Sequence, residues 1–488
     1  MVLVLALDAG TTGVRALSFD ARTRVVDVAY RELSQHFPAP GLVEQDADEI
    51  ARLSREVLVE VAVAAHSRGD TILALGLSNQ RETVVAFDLA APQARHRALV
   101  WQDRRGEARC VELDQSGHTE AVRQTTGLVI DPYFSATKMA WLLEHGTLDS
   151  AAVPALGTVD TWLTWWLSGG PEDGVYVAEV SNASRTSLMD LSERRWSAEL
   201  CELFGVERGL LAPIVASAGE RARVSASVCA ELAGVPITGV LGDQQAALFG
   251  QACFEPGMIK ATYGTGAFVL AHAGFRAPPV APGLLSTLAW DDGREVAYAY
   301  EGSSFVAGAA VQWLRDEWGL IEHARDLEPL ALSVPDSAGV CVVPAFVGLG
   351  SPFWRAEARG AITGLSGAVT RAHLARALVE ALAYQVRAIT DAFANAGLGV
   401  GELRADGGAA AMDLLLQTQA TASRLRVARS AHLEATARGA ACLAGEAIGL
   451  WRRADLAATW EATARFSPED PLFADLGYDA WLRAAARA

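Results

Sequence analysis

Two stretches, one at the start and one just past the middle of the 488 residues, repeat a single local pattern. In the first, residues 2–7 are a continuous apolar run of buried-strand length. The turn Asp8-Ala9-Gly10-Thr11-Thr12-Gly13 follows, and residues 14–19 alternate like a returning strand. In the second, residues 257–262 lead into Tyr263-Gly264-Thr265-Gly266, and residues 267–270 return. Both patterns predict a hairpin whose tip combines glycines with threonine hydroxyls. Small residues let backbone N–H groups come close to an anion, and the hydroxyls add donors. Two such tips, one early in each half, predict a duplicated α/β architecture with phosphate-facing hairpins across a cleft.

Between them lies Gly239-Val240-Leu241-Gly242-Asp243-Gln244-Gln245-Ala246-Ala247-Leu248-Phe249-Gly250, an apolar strand that breaks at Gly242 and opens a small-residue helix. Asp243 at that junction has two readings. It caps the helix, or it meets a ligand, since α/β folds hold ligands outside the carboxyl ends of their strands. Residues 46–67 have helical periodicity. Residues 71–78 read as a buried strand running into Asn79-Gln80-Arg81-Glu82-Thr83. Neighbours on a strand point to opposite faces, so Arg81 and Glu82 share a ligand only if the chain bends there; otherwise they form a surface pair of little worth. Trp101 and Tyr133, taken singly, read as core aromatics. Residues 307–319 read as a helix with Gly308 near its start and Gln312 one turn on, and residues 371–396 as a long helix. Asp406-Gly407-Gly408-Ala409 is a glycine turn opening a helix over 410–422, and its amide-rich start is a third candidate anion contact. The tail, residues 452–488, ends in a packing helix around Trp481. The polar turns at 157–163 and 181–186 carry no role on their physics alone.

A chain of this length predicts two domains, divided here as residues 1–250 and 251–488. The net charge of −17 argues against nucleic acid and anionic membrane as partners. It leaves room for a nucleotide, whose phosphates are held by local donors. Among 41 Lys and Arg only Lys138 and Lys260 are lysines, which reads as nucleotide-composition bias in the source genome. Cys110, Cys201, Cys229, Cys253, Cys341 and Cys442 are scattered without metal-ligand spacing, as expected of thiols in a reducing compartment, so a cytoplasmic protein is expected. Residues 1–7 are too short an apolar run, and too poor in basic residues, to predict a signal peptide or a membrane span. Neither lysine follows the second glycine of a P-loop, no G-x-G-x-x-G opens a helix, and no H-R-D, G-x-S-x-G or H-E-x-x-H context is present. What remains is a phosphate site of backbone amides and threonine hydroxyls, with Asp8 placed to hold Mg²⁺ through water.

Asp8-x-Gly10-Thr11-Thr12, Asn79-Gln80-Arg81-Glu82-Thr83, Gly127-Leu128-Val129-Ile130-Asp131-Pro132-Tyr133-Phe134, the 242–251 stretch and Tyr263-Gly264-Thr265-Gly266 together resemble the glycerol kinases of the FGGY carbohydrate kinase family. The first motif is shared by a whole superfamily, but five in this order are specific, and the resemblance runs nearly end to end. It implies two actin-like ATPase (ribonuclease H-like) domains facing each other across a cleft. It also implies ATP-dependent, Mg²⁺-requiring phosphorylation of glycerol to sn-glycerol 3-phosphate. By the resemblance, glycerol is held by Arg81, Glu82, Trp101, Tyr133, Asp243, Gln244 and Phe268, with Asp243 as general base. ATP is held by Gly10, Thr11, Thr12, Gly13, Arg15, Thr265, Gly266, Gly308, Gln312, Gly408 and Met412, and Mg²⁺ lies near Asp8 and Asp243. A homodimer or homotetramer is expected.

The chain departs from that pattern in places. Glycerol kinases usually continue D-x-G-T-T with two serines, where this chain has Gly13 and Val14. Their D-G-G-x-x-x-N motif ends in an Asn near adenine, and Met412 stands there. The basic loop that binds fructose 1,6-bisphosphate in some bacterial members has no counterpart in residues 225–235. Two further readings are a kinase for another small polyol or ketose, and a polyol-binding regulatory protein with weakened nucleotide use.

Overall fold

The computed structural model describes residues 1–469 and 471–488; residue 470, within the tail segment read from the sequence, lies outside them. The first half builds one sheet from β1 (Val2–Ala9), β2 (Gly13–Phe19), β3 (Val25–Glu32), β4 (Thr71–Asn79), β5 (Ala218–Arg223) and β6 (Pro236–Gly242), in the order β5-β6-β4-β1-β2-β3. The second half builds another from β7 (Ile259–Tyr263), β8 (Ala267–Gly274), β9 (Leu285–Asp291), β10 (Val296–Ser304), β11 (Leu403–Asp406), β12 (Val427–Ser430) and β13 (Ala462–Phe466), in the order β9-β10-β8-β7-β11-β12-β13.

The two sheets are wired alike. In each, the first strand pairs antiparallel with the second, and the second with a third. A later strand joins the first in parallel, another joins that one in parallel, and an antiparallel strand closes the edge. The duplication predicted from the two hairpins is therefore a duplication of topology. β9 is the extra strand of the second sheet. A four-stranded sheet (Glu44–Gln45, Ala98–Leu99, Val84–Asp88 and Pro154–Thr158) belongs largely to the insertion between β4 and β5.

The helices read at 46–67, 307–319 and 371–396 are present at Ala47–Ser67, Gly308–Asp316 and Arg371–Asn395. Those that matter for the site and the core are α1 (Ala47–Ser67), α2 (Ser135–Glu144), α3 (Asp243–Gly250), α4 (Gly308–Asp316), α5 (Arg371–Asn395), α6 (Asp413–Ser423), α7 (Ala435–Ala447) and α8 (Pro471–Ala485). Asp46 caps α1 by accepting from the Asp48 and Glu49 amides, and Ile50, Val57, Val61 and Ala65 bury its apolar stripe. The glycine turn after β11 departs from expectation. Instead of a helix over 410–422 there is a 3₁₀ turn (Gly408–Ala411) and then α6. Arg429 Nε donates to the Ala410 carbonyl at 2.7 Å, occupying an acceptor that an α-helix through this point would use. Among the described residues no helix is long and apolar enough to cross a membrane.

The halves join through α3 and α7. Although α7 follows the second half's β12, it packs on β1, β4 and β6 of the first sheet, while α3 reaches β7, β8 and β9 of the second. Contact this close needs side chains removed. A Cβ on Gly250 would lie 1.9 Å from the Ala435 carbonyl oxygen, and one on Gly439 would lie 1.8 Å from that of Ala246. On the sheet side, a Cβ on Gly76 would lie 2.2 Å from the Ala440 oxygen, and one on Gly239 would lie 2.6 Å from the Ala444 nitrogen. Ala437, Ala440, Ala441 and Ala444, fully buried, complete this backbone-on-backbone joint, and the buried Arg438 donates to the Gly250 carbonyl beside it.

A Gly439→Ala substitution should therefore lower the urea midpoint, by a shift that corresponds to an overpacking cost of about 1–3 kcal/mol or more in unfolding free energy. Gly209→Ala, whose Cβ would meet nothing within 4 Å, should leave the midpoint unchanged.

Candidate functional site

The first hairpin tip is held from behind by amides. The Gly10 N–H closes the turn on the Gly13 carbonyl at 3.0 Å. The Thr11 carbonyl accepts from Gln45 Nε2 at 2.6 Å and Gln35 Nε2 at 3.3 Å, and the Gly10 carbonyl accepts from Gln80 Nε2 at 3.3 Å. With those carbonyls taken, the Thr11 and Thr12 N–H groups have no acceptor among the described residues. That leaves a pair of donors at the tip for an anion. Asp8, at the end of β1, accepts from Ser78 Oγ at 2.9 Å and lies 3.7 Å from Arg15 Nε. Burial pushes the Asp8 carboxyl up to about 6 against the pull of Arg15 and Ser78, and the charge of Asp243 adds to the rise. Arg15 is shared with Glu434 at 2.5 Å, just before α7.

The second tip repeats this with different backing. The Gly264 N–H closes on the Gly266 carbonyl at 2.9 Å. The Thr265 carbonyl accepts the Ala307 and Ala309 N–H groups, and the Gly264 carbonyl accepts that of Gly308. Gly308 can be nothing larger, since its Cβ would lie 2.6 Å from the Gly264 oxygen. Gly407, at φ +88°, presses on Tyr263 and leaves Gly408 facing open space. Thr265, Gly266, Gly308 and Gly408 are thus one neighbourhood, with Gln312 exposed on α4 beside it. Met412 is 8% exposed, its side chain counted in the apolar cluster under the second sheet.

Where β4 ends, the chain makes the bend that Arg81 and Glu82 require. Glu82 adopts φ +59° and the Thr83 N–H bonds the Arg81 carbonyl at 2.7 Å, so both side chains turn inward, 2% and 1% exposed. They are not each other's main partner. Arg81 makes a fork with Glu301 at 2.6 and 3.0 Å, reaches Gln245 at 3.2 Å, and places Nε 3.2 Å from an Asp243 oxygen. Glu82 accepts from Arg185 Nε at 2.6 Å, and Arg185 also reaches Glu301 at 3.0 Å, whereas Arg81 and Glu82 stand 3.9 Å apart. Burial pushes Glu301 up, but Arg185 and Arg81 outweigh it and hold its carboxyl down at about 2. The result is a buried, alternating quartet of charges with every member paired.

Around it stand the remaining predicted residues. Asp243 is the first residue of α3 rather than its cap, which is Gly242. One of its oxygens takes the Gln244 N–H at 2.7 Å, and its side chain stays 28% exposed. Gln244 Oε1 accepts from Lys260 Nζ, which also reaches Thr262 Oγ1 at 3.1 Å. The Tyr133 hydroxyl is 3.5 Å from Arg81, and its ring meets Trp101 edge to face at 5.5 Å. Trp101 Nε1 in turn donates to Thr11 Oγ1 at 2.9 Å, tying the aromatic pair to the first tip. Phe268 lies opposite Thr262 and Ser303 in the ladder, on the same face as Lys260 and Glu301.

Arg185, Glu301 and the two lysines were not singled out by motif. Lys138 and Lys260 are both fully buried. Lys138 Nζ donates to the carbonyls of Pro132, Tyr133 and Phe134 at 2.7, 2.8 and 2.9 Å, fixing the turn that presents Tyr133. Burial pushes both ammonium groups down to about 8, opposed by Glu82, Asp103 and Asp131 at Lys138 and by Asp406, Asp243 and Glu301 at Lys260. A signal for them was present. A chain that otherwise uses arginine keeps lysine at two positions, and both lie at this site.

The model of the FGGY family of carbohydrate kinases matches the chain in both its parts, the N-terminal domain over residues 3–250 and the C-terminal domain over 259–448. A glycerol kinase of Acidovorax ebreus is 47% identical over 483 residues, covering 96% of each chain. One of Halorhodospira halophila is 46% identical over 492 residues, covering 99% of this chain and 96% of its own. Among solved structures, a Plasmodium falciparum glycerol kinase with ADP superposes with a TM-score of 0.92 at 29% identity, over 100% of this chain and 98% of that one. A ligand-bound xylulose kinase from Lactobacillus acidophilus has the same fold at 17% identity, with a TM-score of 0.89 over 100% and 98% of the two chains.

Glu301→Gln would leave two buried guanidiniums short of a counter-charge, and is expected to cost about 3–5 kcal/mol of unfolding free energy at pH 7. Glu301 ionises at about 2 in the fold against an ordinary 4.5. The parent's advantage is therefore full above about 4.5 and shrinks as the pH falls through that window. Urea midpoints of parent and variant at pH 7 and below 4.5 measure this; a gap that widens on acidification contradicts it.

Proposed function

The chain belongs to the FGGY family of carbohydrate kinases, and from that premise we propose that it transfers the γ-phosphoryl group of ATP to a terminal hydroxyl of glycerol. The observation that carries this reading is the position of Asp243. Its partly exposed carboxylate sits at the start of α3, beside the buried Arg81, Glu82, Arg185 and Glu301 quartet, and close enough to Asp8 on the first tip for its charge to act there. The relatives named above support glycerol as the acceptor.

In this reading Arg81, Glu82, Tyr133 and Gln244 hydrogen-bond the polyol, while Trp101 and Phe268 cover its carbon chain. Buried polar groups that a wrong substrate leaves unpaired give the discrimination. Asp243 accepts the proton as the hydroxyl oxygen bonds the γ-phosphorus and the bond to the β-phosphate oxygen breaks, releasing ADP. The amides of Thr11 and Thr12 with their hydroxyls, Gly10, Gly13 and Arg15, face the phosphates from one side. Thr265 and Gly266 face them from the other, and Gly308, Gln312, Gly408 and Met412 border the nucleoside. Positioning and charge stabilisation supply most of the acceleration in such transfers.

Asp8 and Asp243 offer the oxygen ligands a magnesium ion takes. Among the described residues no group of three or more acidic, histidine or cysteine side chains could hold a metal alone, as fits an ion bound by one or two carboxylates together with substrate phosphates. Mg²⁺ there would neutralise phosphate charge. The division at residues 250 and 251 assigns the polyol mainly to the first unit and the nucleotide to the second. Six free cysteines, five of them buried, fit a reducing cytoplasm. Solution mass decides between homodimer and homotetramer.

Asp243→Asn is expected to lower glycerol-dependent ADP release by at least about 10²-fold while glycerol still binds in calorimetry. ADP release equal with and without glycerol in the parent would falsify the assignment, and dihydroxyacetone, erythritol and pentuloses in the same assay test the acceptor.

A further inference from the structure

Asp8, Arg15 and Tyr30 stand in one row across three neighbouring strands. Asp8 faces Arg15 in the β1–β2 ladder, and Arg15 faces Tyr30 in the β2–β3 ladder. Directly opposed residues share a face, so Tyr30 projects from the same side as the Asp8 carboxylate. Its diagonal neighbour on that face is Gly13, two residues before Arg15, and diagonal positions are within reach of an aromatic ring. The ring takes up that reach. A Cβ at position 13 would lie 2.4 Å from Tyr30 Cε2 and 2.5 Å from its hydroxyl oxygen. The phenol therefore fills the space that a side chain at the end of the first tip would occupy, and residue 13 must be glycine for it to do so.

The placement leaves the hydroxyl available. Its one recorded bond is to the Thr12 carbonyl at 3.4 Å, a long contact. The ring is steadied by the Arg15 guanidinium 5.7 Å from its centroid, and the residue is 43% exposed. A tyrosine on an edge strand serving only to cover a glycine of the neighbouring strand would use its ring, and the oxygen would be incidental. Here the oxygen lies at the tip itself, 3.4 Å from the Thr12 carbonyl oxygen and in the space of a Gly13 side chain.

We propose that Tyr30 is a phosphate-binding residue: its hydroxyl, delivered from β3 over Gly13, donates a hydrogen bond to the phosphate chain of the bound nucleoside triphosphate. This rests on the proposed kinase reading, in which the first tip faces those phosphates. Tyrosine and glycine thus act as one unit, with the donor carried by the neighbouring strand.

The test is Mg-ATP binding by calorimetry, alongside steady-state kinetics. Tyr30→Phe keeps the ring over Gly13 and removes the donor. It should weaken ATP about ten- to a hundredfold, as for a hydrogen bond to a charged acceptor, with the thermal midpoint and the KM for glycerol unchanged. Gly13→Ser alone should impair both folding and binding, because the serine meets the ring. Gly13→Ser combined with Tyr30→Ala should bind ATP more tightly than Tyr30→Ala by a similar factor, since the space and the hydroxyl then return to residue 13. Equal ATP affinity in parent and Tyr30→Phe overturns the proposal, as does a double variant no tighter than Tyr30→Ala. A parent that binds no Mg-ATP at all overturns the kinase reading instead.

Discussion

One carboxylate holds the site together across the two halves. Glu301 belongs to the second sheet, and both of its oxygens are spent on arginines of the first half, Arg81 and Arg185. Desolvating any of these groups alone would be prohibitive, so the quartet exists only with both halves in place. That dependence has a consequence for the polyol pocket. Arg81 and Glu82 each have one strong partner fixed by the fold, and so their remaining hydrogen-bonding directions are set before any substrate arrives. A neighbouring pair that satisfied itself would offer a ligand far less. By bending at Glu82 and separating the two to 3.9 Å, the chain trades a local ion pair for two long-range ones.

The joint behind the quartet is of the opposite kind. Where α3 crosses α7 the contact is mainly glycines and alanines allowing backbone to touch backbone, and the one charge there, the buried Arg438 of α7, donates to the Gly250 carbonyl of α3 rather than to a carboxylate. The two contacts do different work. The helix crossing fixes how close the halves can come, and Asp243, as the first residue of α3, is carried directly by it. Asp243 is therefore placed by packing, and its orientation is then set by Arg81 and the Gln244 N–H. A helix that began even one residue later would turn the carboxylate away from Arg81, because successive residues on a helix point about 100° apart.

The hairpins, α1, α5 and the strand-to-helix break at Gly242 were legible because each is written in a short window of apolar period and turn residues. Reading the family motifs in order also picked out Arg81, Glu82, Tyr133, Asp243 and Gln244 as neighbours. Arg185 and Glu301 were not legible. Their partners lie more than a hundred residues away in the chain, and nothing local distinguishes a buried arginine after a polar turn from a solvated one. The lysines are a different case. Lys138 and Lys260 were set aside as residue of a composition bias, yet that bias makes each retained ammonium informative. A compact, rotatable donor can satisfy three converging carbonyls, as Lys138 does, where a planar guanidinium cannot. The 3₁₀ turn after Gly408 was missed for a long-range reason as well, since the acceptor it diverts is claimed by Arg429 from a neighbouring strand.

The duplication itself is more abstract than the repeated glycines and threonines suggest. At the first tip the carbonyls are drawn back by Gln35, Gln45 and Gln80, reaching in from three separate stretches of chain. At the second, the backbone N–H groups of residues 307–309 do the same work, from the start of α4. No side chain corresponds between the two sets. What they share is that the carbonyls of the tip are engaged, while the intervening N–H groups have no partner among the described residues. Such a site depends on the orientation of peptide planes, and any backing that holds them will serve. The same reasoning extends to the donors at the rim. With Tyr30 supplying from β3 a donor that Gly13 does not carry, the first tip takes a hydroxyl from a neighbouring strand rather than from its own segment.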